Sequence, residues 1–170
     1  MKLLPCLLAL AVLFAASARA EPRADAPPKL SFVFEETVLL GATLTPGATA
    51  MGKRFIVPII GGHFEGPGDG SGLRGKVLPG GWDWQLLRAD GCLNVKADYM
   101  LQTDDGVIVN VVNTGPLCPG RPVLTTPIFE PPLGKYQWLG QSAFVGALEV
   151  VKVDGQPAVR IRFYRVDADQ

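Results

Sequence analysis

Trp82-Asp83-Trp84, placed directly after Gly80-Gly81, is the arrangement in this chain best suited to proton chemistry. A carboxyl crowded by indoles loses water, its pKa rises, and it becomes a usable acid or base near neutrality. An Asp beside Gly-Gly has a second reading of equal standing. It can accept backbone N–H bonds in the turn, which makes it strongly acidic instead. Tyr99 and Glu130 complete the candidate catalytic set, with Asp83 or Glu130 as base and Tyr99 as the donor for developing oxyanion charge.

Five further residues are candidates for holding a ligand: His63, Glu65, Trp84, Asn113 and Trp138. His63 is the single histidine, the side chain that titrates nearest neutral pH, and Glu65 shares its face in an extended strand. A lone histidine without a nucleophile motif is more often a surface or structural residue. One of Trp82 and Trp84 is expected to line a cavity or core, the other to cover the outside. Asn113 and Gly115 end a strand where a barrel mouth could lie. Phe129-Glu130 and Tyr136-Gln137-Trp138 place aromatic rings beside a carboxylate, which suits a small ligand but also serves ordinary corner packing. Arg160 and Arg162 alternate with Val159, Ile161 and Phe163, and the arginines are expected to face water.

Other chemistries find little footing. The chain has 16 basic and 16 acidic residues, with no basic stripe for nucleic acid and no polybasic patch for anionic lipid. Two cysteines and one histidine remain beyond residue 20 without any metal-ligand spacing, so neither metal nor cofactor is expected. Asp104-Asp105-Gly106 lacks the further carboxylates of a calcium loop and reads as a hairpin turn. No Ser-His-Asp order, phosphate loop or dinucleotide fingerprint is present.

Residues 1–20 read as a secretory leader: Lys2, then an apolar run, then Ala18-Arg19-Ala20 as cleavage site. The run is too short to span a membrane, which takes about 20 apolar residues. Cleavage after Ala20 implies a periplasmic or secreted protein without membrane attachment. The leader takes Cys6, Lys2 and Arg19 with it, and leaves a chain about two charges negative. Cys92 and Cys118 then read as one structural disulfide, in preference to free thiols.

The elements that must position these residues are short strands. Residues 21–29 form a Pro-rich spacer, and 30–170 one domain. Apolar, β-branched runs fall at 30–40, 55–60, 73–78, 82–88, 93–103, 107–113, 123–129, 143–153 and 158–166. Pro58 marks an edge or a bulge. Asp90-Gly91, Asp105-Gly106 and Asp154-Gly155 each separate two runs, which signals hairpins. About nine antiparallel strands imply an all-β fold, read here as a single β-barrel of lipocalin or streptavidin architecture. On 93–103 the face with Val95, Ala97, Tyr99 and Leu101 is expected inward, so the Tyr99 hydroxyl needs a partner. On 82–88, Asp83 and Gln85 share one face and Trp82 and Trp84 the other. Periodicity does not say which faces the lumen.

The motifs Gly61-Gly62, Phe64-Glu65-Gly66, Arg74-Gly75 and Gly80-Gly81 with Asp83-Trp84, in this order, resemble the family called domain of unknown function 3237. Weaker matches run on through Tyr99, Asp104-Asp105-Gly106, Asn113, Gly115, Phe129-Glu130, Tyr136 and Trp138-Leu139, so that the likeness covers residues 30–166. The resemblance implies a small antiparallel barrel and transfers no catalytic residue. Departures from the family pattern are the leader, the Cys92/Cys118 pair and His63. Two functions are carried forward. One is a barrel that binds a small apolar or aromatic molecule. The alternative is an isomerase, cyclase or lyase that uses a carboxylate base and a tyrosine donor in the same barrel.

Overall fold

The structure is a computed structural model and describes residues 27–67 and 72–168. Residues 1–20, which carry the proposed leader, lie outside that range. Among the described residues there are ten strands: β1 (Lys29–Leu40), β2 (Leu44–Thr49), β3 (Gly52–Glu65), β4 (Arg74–Val77), β5 (Gly81–Leu87), β6 (Leu93–Thr103), β7 (Ile108–Leu117), β8 (Val123–Glu130), β9 (Phe144–Val153) and β10 (Gln156–Asp167). The sequence places nine of them. The strand it misses is β2, whose Leu-Thr-Pro-Gly-Ala-Thr carries turn residues rather than an apolar alternation.

Every pairing is antiparallel, and the sheet closes because β3 pairs with β1 as well as with β4 and β5. β1 and β2 run along one edge of β3 as a single stave interrupted at Gly41–Thr43. β4 and β5 run along its other edge, interrupted at Leu78–Gly80. Ten strands therefore build eight staves, the number whose interior is just wide enough for side chains or one small ligand. β3 does not stop near Ile60 but continues through Gly61 and Gly62 to Glu65. Gly62 makes this possible. Its φ is 140°, and a Cβ there would stand 2.0 Å from the Thr37 carbonyl oxygen. A register shift between Leu39 and Leu40 lies opposite Ile59 and Gly61, close to Pro58, while Gly41 N–H donates to the Pro58 carbonyl at 2.8 Å. Pro58 thus sits next to a bulge, not on a free edge.

The three Asp-Gly hairpins join β5 to β6, β6 to β7 and β9 to β10. Asp154 and Gly155 both have positive φ, 51° and 82°, as a tight turn of matching twist requires. Cys92 and Cys118 are bonded, Cα atoms 4.3 Å apart, just beyond the Leu93–Leu117 pair that ends the β6–β7 hairpin.

Inward residues divide the barrel into two halves. At one end Phe34, Phe64, Phe129, Phe144 and Phe163 interlock with ring centroids 4.9–5.8 Å apart. A 3-10 turn, Gln137–Gln141, adds buried Leu139 to this plug. The other half is lined by smaller side chains and is hollow. The plug supplies most of the large apolar burial, and the cavity sits on top of it.

Candidate functional site

The cavity has a volume of about 440 Å³ and spans the half of the barrel away from the phenylalanine plug. That is within the ordinary range for a small-molecule pocket, about 300–1,000 Å³. Its walls are Val38 and Leu40 from β1, Val57 and Ile59 from β3, Val95 from β6, and Val159 and Ile161 from β10. Leu93, Leu117, Val150, Pro157 and the Gly41–Thr43 interruption form its outer reach.

One side of this apolar chamber is polar. Asp83 and Gln85 project into it from β5, Tyr99 from β6, Asn113 from β7 and Thr125 from β8. Strand register groups them, because Asp83 and Asn113 both lie opposite Ala97, one on each side of β6. The small Ala97 side chain leaves a notch between them. Gly81 permits the close approach of β5 to Tyr99, since a Cβ at that position would stand 2.5 Å from the Tyr99 Cβ.

Asp83 is therefore on the lumen face, and both tryptophans are outside. Trp82 and Trp84 are 38% and 45% exposed, on the same outer face, as residues two apart in a regular strand must be. The expected division, one indole inside and one outside, is corrected. The turn-cap reading also fails. Asp83 Oδ1 accepts the Lys96 backbone N–H from β6 at 3.0 Å, and Oδ2 accepts from Gln85 Nε2 at 2.6 Å. Its pKa is raised, because burial beside an apolar cavity outweighs those two hydrogen bonds. The cause is the lumen, not the indoles.

Tyr99 finds its partner across the barrel. Its hydroxyl donates to Oε1 of Glu36 on β1, and Glu36 is fully buried. Burial pushes the Glu36 carboxyl up to about 8, with the Tyr99 hydrogen bond acting in the other direction. The Tyr99 phenol is pushed well above its usual value by burial first, then by Glu36 and Asp83. Glu36 Oε2 and Asn113 Oδ1 are buried and have no hydrogen-bond partner among the described residues.

The sequence candidates thus divide. Asp83, Tyr99 and Asn113 meet at the cavity. Glu130 does not, because it stands exposed on the outer face of β8 opposite Asn110. His63 and Glu65 are exposed on the outer face of β3, beside Lys76 and Arg74. Trp84 is outside as described, and Trp138 packs against Phe144 at the plug, 6.2 Å between ring centroids. Arg160 and Arg162 lie outside against Glu35, at 3.4 and 2.7 Å, as their alternation implies. Sequence reasoning missed Glu36, Gln85 and Thr125 as partners in the site. The signal for Glu36 was present: Phe34, Glu36, Val38 and Leu40 alternate on one face of β1, with a single acid among apolar residues.

Among the described residues no group of His, Cys, Asp and Glu could hold a metal ion. The site offers carboxyl, amide and phenol groups in an apolar chamber. Such groups can orient a small molecule or move a proton.

The sequence profile of a family described as "Protein of unknown function (DUF3237)" matches residues 28–125. That span holds Glu36, Asp83, Tyr99 and Asn113 and ends before Glu130 and Trp138, short of the 30–166 suggested by the motifs. A UPF0311 protein of Rhodopseudomonas palustris (strain TIE-1) is 36% identical over 133 residues, which is 68% of this chain and 84% of that protein. Among solved structures, a conserved protein of unknown function from Rhodopseudomonas palustris superposes with a TM-score of 0.73 at 31% identity, over 84% of this chain and 99% of that one. A beta-barrel like protein from Acinetobacter baumannii AYE superposes equally well, TM-score 0.73 at 28% identity, over 88% and 100%.

Proposed function

The chain belongs to the DUF3237 family of proteins of unknown function, and on that footing we propose that it binds a small, largely apolar molecule inside the barrel. The observation that carries this reading is the cavity of about 440 Å³, with apolar walls and one polar side. Burial of ligand surface supplies the driving force, roughly 25 cal/mol per Å² of apolar area. Asp83, Asn113 and Tyr99 set its orientation. The test is uptake of an environment-sensitive dye by the full chain, compared with Val95→Phe, which fills the lumen. Saturable uptake that the filled variant loses supports the reading. A folded protein that takes up no dye, or a filled variant that binds equally, overturns it.

A second reading, proton-transfer catalysis, is favoured by one observation: a carboxyl of raised pKa faces the same chamber as a buried phenol. Asp83 would take the proton. Below about pH 8 Glu36 carries its own proton, so it can donate to Tyr99 Oη and turn the phenolic O–H toward the lumen. In an enzyme, Asp83→Asn abolishes turnover and leaves dye uptake intact. In a binder it alters affinity alone.

Export belongs to the same proposal. A disulfide at the end of the β6–β7 hairpin suits an oxidising compartment. The intact mass of protein recovered from a bacterial periplasm should begin at Glu21 and be lighter by the two disulfide hydrogens. Protein retaining residues 1–20 would overturn the leader.

A further inference from the structure

We propose that the lumen is selective for lipophilic amines: a cationic head seats over Ala97 between Asp83 and Asn113, the hydrocarbon body fills the apolar half-barrel, and carboxylates are rejected. This rests on the binding reading and names the class of molecule it admits.

Charge is the first argument. Among the described residues that line the cavity, Asp83 is the sole charged one, and none is a lysine, arginine or histidine. The cations nearest in the chain are turned away. Lys96 is exposed on the outer face of β6, and Arg160 and Arg162 are held outside by Glu35. The other acid within the barrel, Glu36, stands behind Tyr99. An anionic head would enter a chamber of low dielectric that has a carboxylate and no counter-ion, which is among the costliest placements for a charge.

Hydrogen-bond inventory is the second. A carboxylate has about four acceptor positions, and Asp83 uses two, toward Lys96 N–H and Gln85. Asn113 is 2% exposed, lines the same cavity, and its Oδ1 accepts no hydrogen bond from the described residues. Two acceptors with spare capacity therefore flank the Ala97 notch. An ammonium group presents three donors and no acceptor, the complement of that pair. A buried acceptor without a partner is rare enough to call for a ligand or water to complete it. Desolvation already raises the Asp83 carboxyl, and a cation beside it would favour its charged form.

The test compares octylamine, octanol and octanoate as competitors for the bound dye, with the full, disulfide-bonded chain at pH 7. The three share a body and differ in the head. Octylamine should bind at least about tenfold tighter than octanol, and octanoate at least about tenfold weaker. Asp83→Asn should bring octylamine level with octanol. Ala97→Leu, which fills the notch without touching a polar group, should remove the same advantage if Asp83→Asn fails to fold. Octanoate binding as well as octanol overturns the proposal, and so does an amine advantage that survives in the variants. In both cases octanol still competes, so the binding reading stands. If octylamine neither displaces the dye nor binds directly, this proposal falls, whereas the binding reading falls only if the dye itself is not taken up or is bound equally by Val95→Phe.

Discussion

The Tyr99 hydroxyl reaches across the barrel from β6 to Glu36 on β1, joining two residues 63 positions apart at the boundary between the phenylalanine plug and the cavity. The pair is a polar floor. Below it lie Phe34, Phe129 and Phe163, and above it are the Asp83 and Asn113 side chains. A fully buried carboxyl is tolerated there because it is neutral at ordinary pH and hydrogen-bonded on one oxygen.

Glu36 makes stability fall as pH rises. The unfolded carboxyl releases its proton near 4.5, whereas the folded one holds it to about 8. Between those values the native state binds more protons than the unfolded state, so the Glu36 contribution is fully present below 4.5 and is lost through pH 8. Asp83 is raised also and acts in the same direction. Urea midpoints of the wild type should decline from pH 5 to pH 9, and Glu36→Gln should flatten most of that decline. A wild-type midpoint that climbs over this range contradicts the assignment.

Tyr99→Phe leaves Glu36 without its one partner. The cost of a stranded buried polar group is about 1–3 kcal/mol. The variant should lose that much in equilibrium unfolding at pH 6, and Glu36→Gln with Tyr99→Phe should lose less than the separate effects combined.

The disulfide closes a loop of 26 residues, worth about 3–4 kcal/mol on the chain-entropy estimate. A reducing agent, or Cys92→Ser with Cys118→Ser, should lower unfolding stability by that order. Hydrogen exchange should show the loosening concentrated at the Leu93–Leu117 end of the hairpin, where the cavity wall begins.

Gly62→Ala tests closure. The new methyl would meet the Thr37 carbonyl in a backbone of φ 140°, a strain of about 1–3 kcal/mol before any displacement of β1. Faster amide exchange along Thr37–Leu39 is expected, with the Leu93–Thr103 strand unaffected. Uniform protection in both strands would show that the seam is not what holds the ring shut.

Asp105 works in the opposite sense to Glu36. It accepts hydrogen bonds from Lys135 at 2.8 Å, Thr103 at 2.5 Å and Tyr136 at 2.9 Å. Lys135 and Thr103 are the leading causes of a carboxyl held well below its usual 3.8. A depressed folded value means that the contribution is present above 3.8 and is lost as pH falls. Asp105→Asn should leave the fold and the cavity intact while local exchange rises around Gln137–Gln141, and its stability should respond less to acid than the wild type.

Strand alternation and Asp-Gly turns made the all-β fold readable, because each is a local signal with a period or a dipeptide. The Val95–Leu101 face could be assigned inward for the same reason. β2 could not be placed, since its hydrogen bonds come from continuing the β1 edge along β3, a relationship between distant segments. The site followed the same division. Tyr99 and Asn113 could be found from one strand each, but His63, Glu65, Trp84, Glu130 and Trp138 attracted notice by residue type and lie outside the cavity. Asp83 faces the cavity, but its desolvation comes from the lumen and not from the flanking tryptophans. Glu36 was missed because its significance depends on a tyrosine three staves of sequence away, although its lone charge in an apolar alternation was visible.

The phenylalanine plug has a kinetic consequence. If the lumen binds a ligand as proposed, the plug makes it a blind alley, so arrival and departure share the end away from the phenylalanines, where Leu93, Leu117 and Pro157 line the cavity. An occupant must back out before a successor can enter, and a newcomer cannot push it through. The exchange rate at high competitor concentration should therefore plateau at the occupant's own dissociation rate, however strongly the competitor binds.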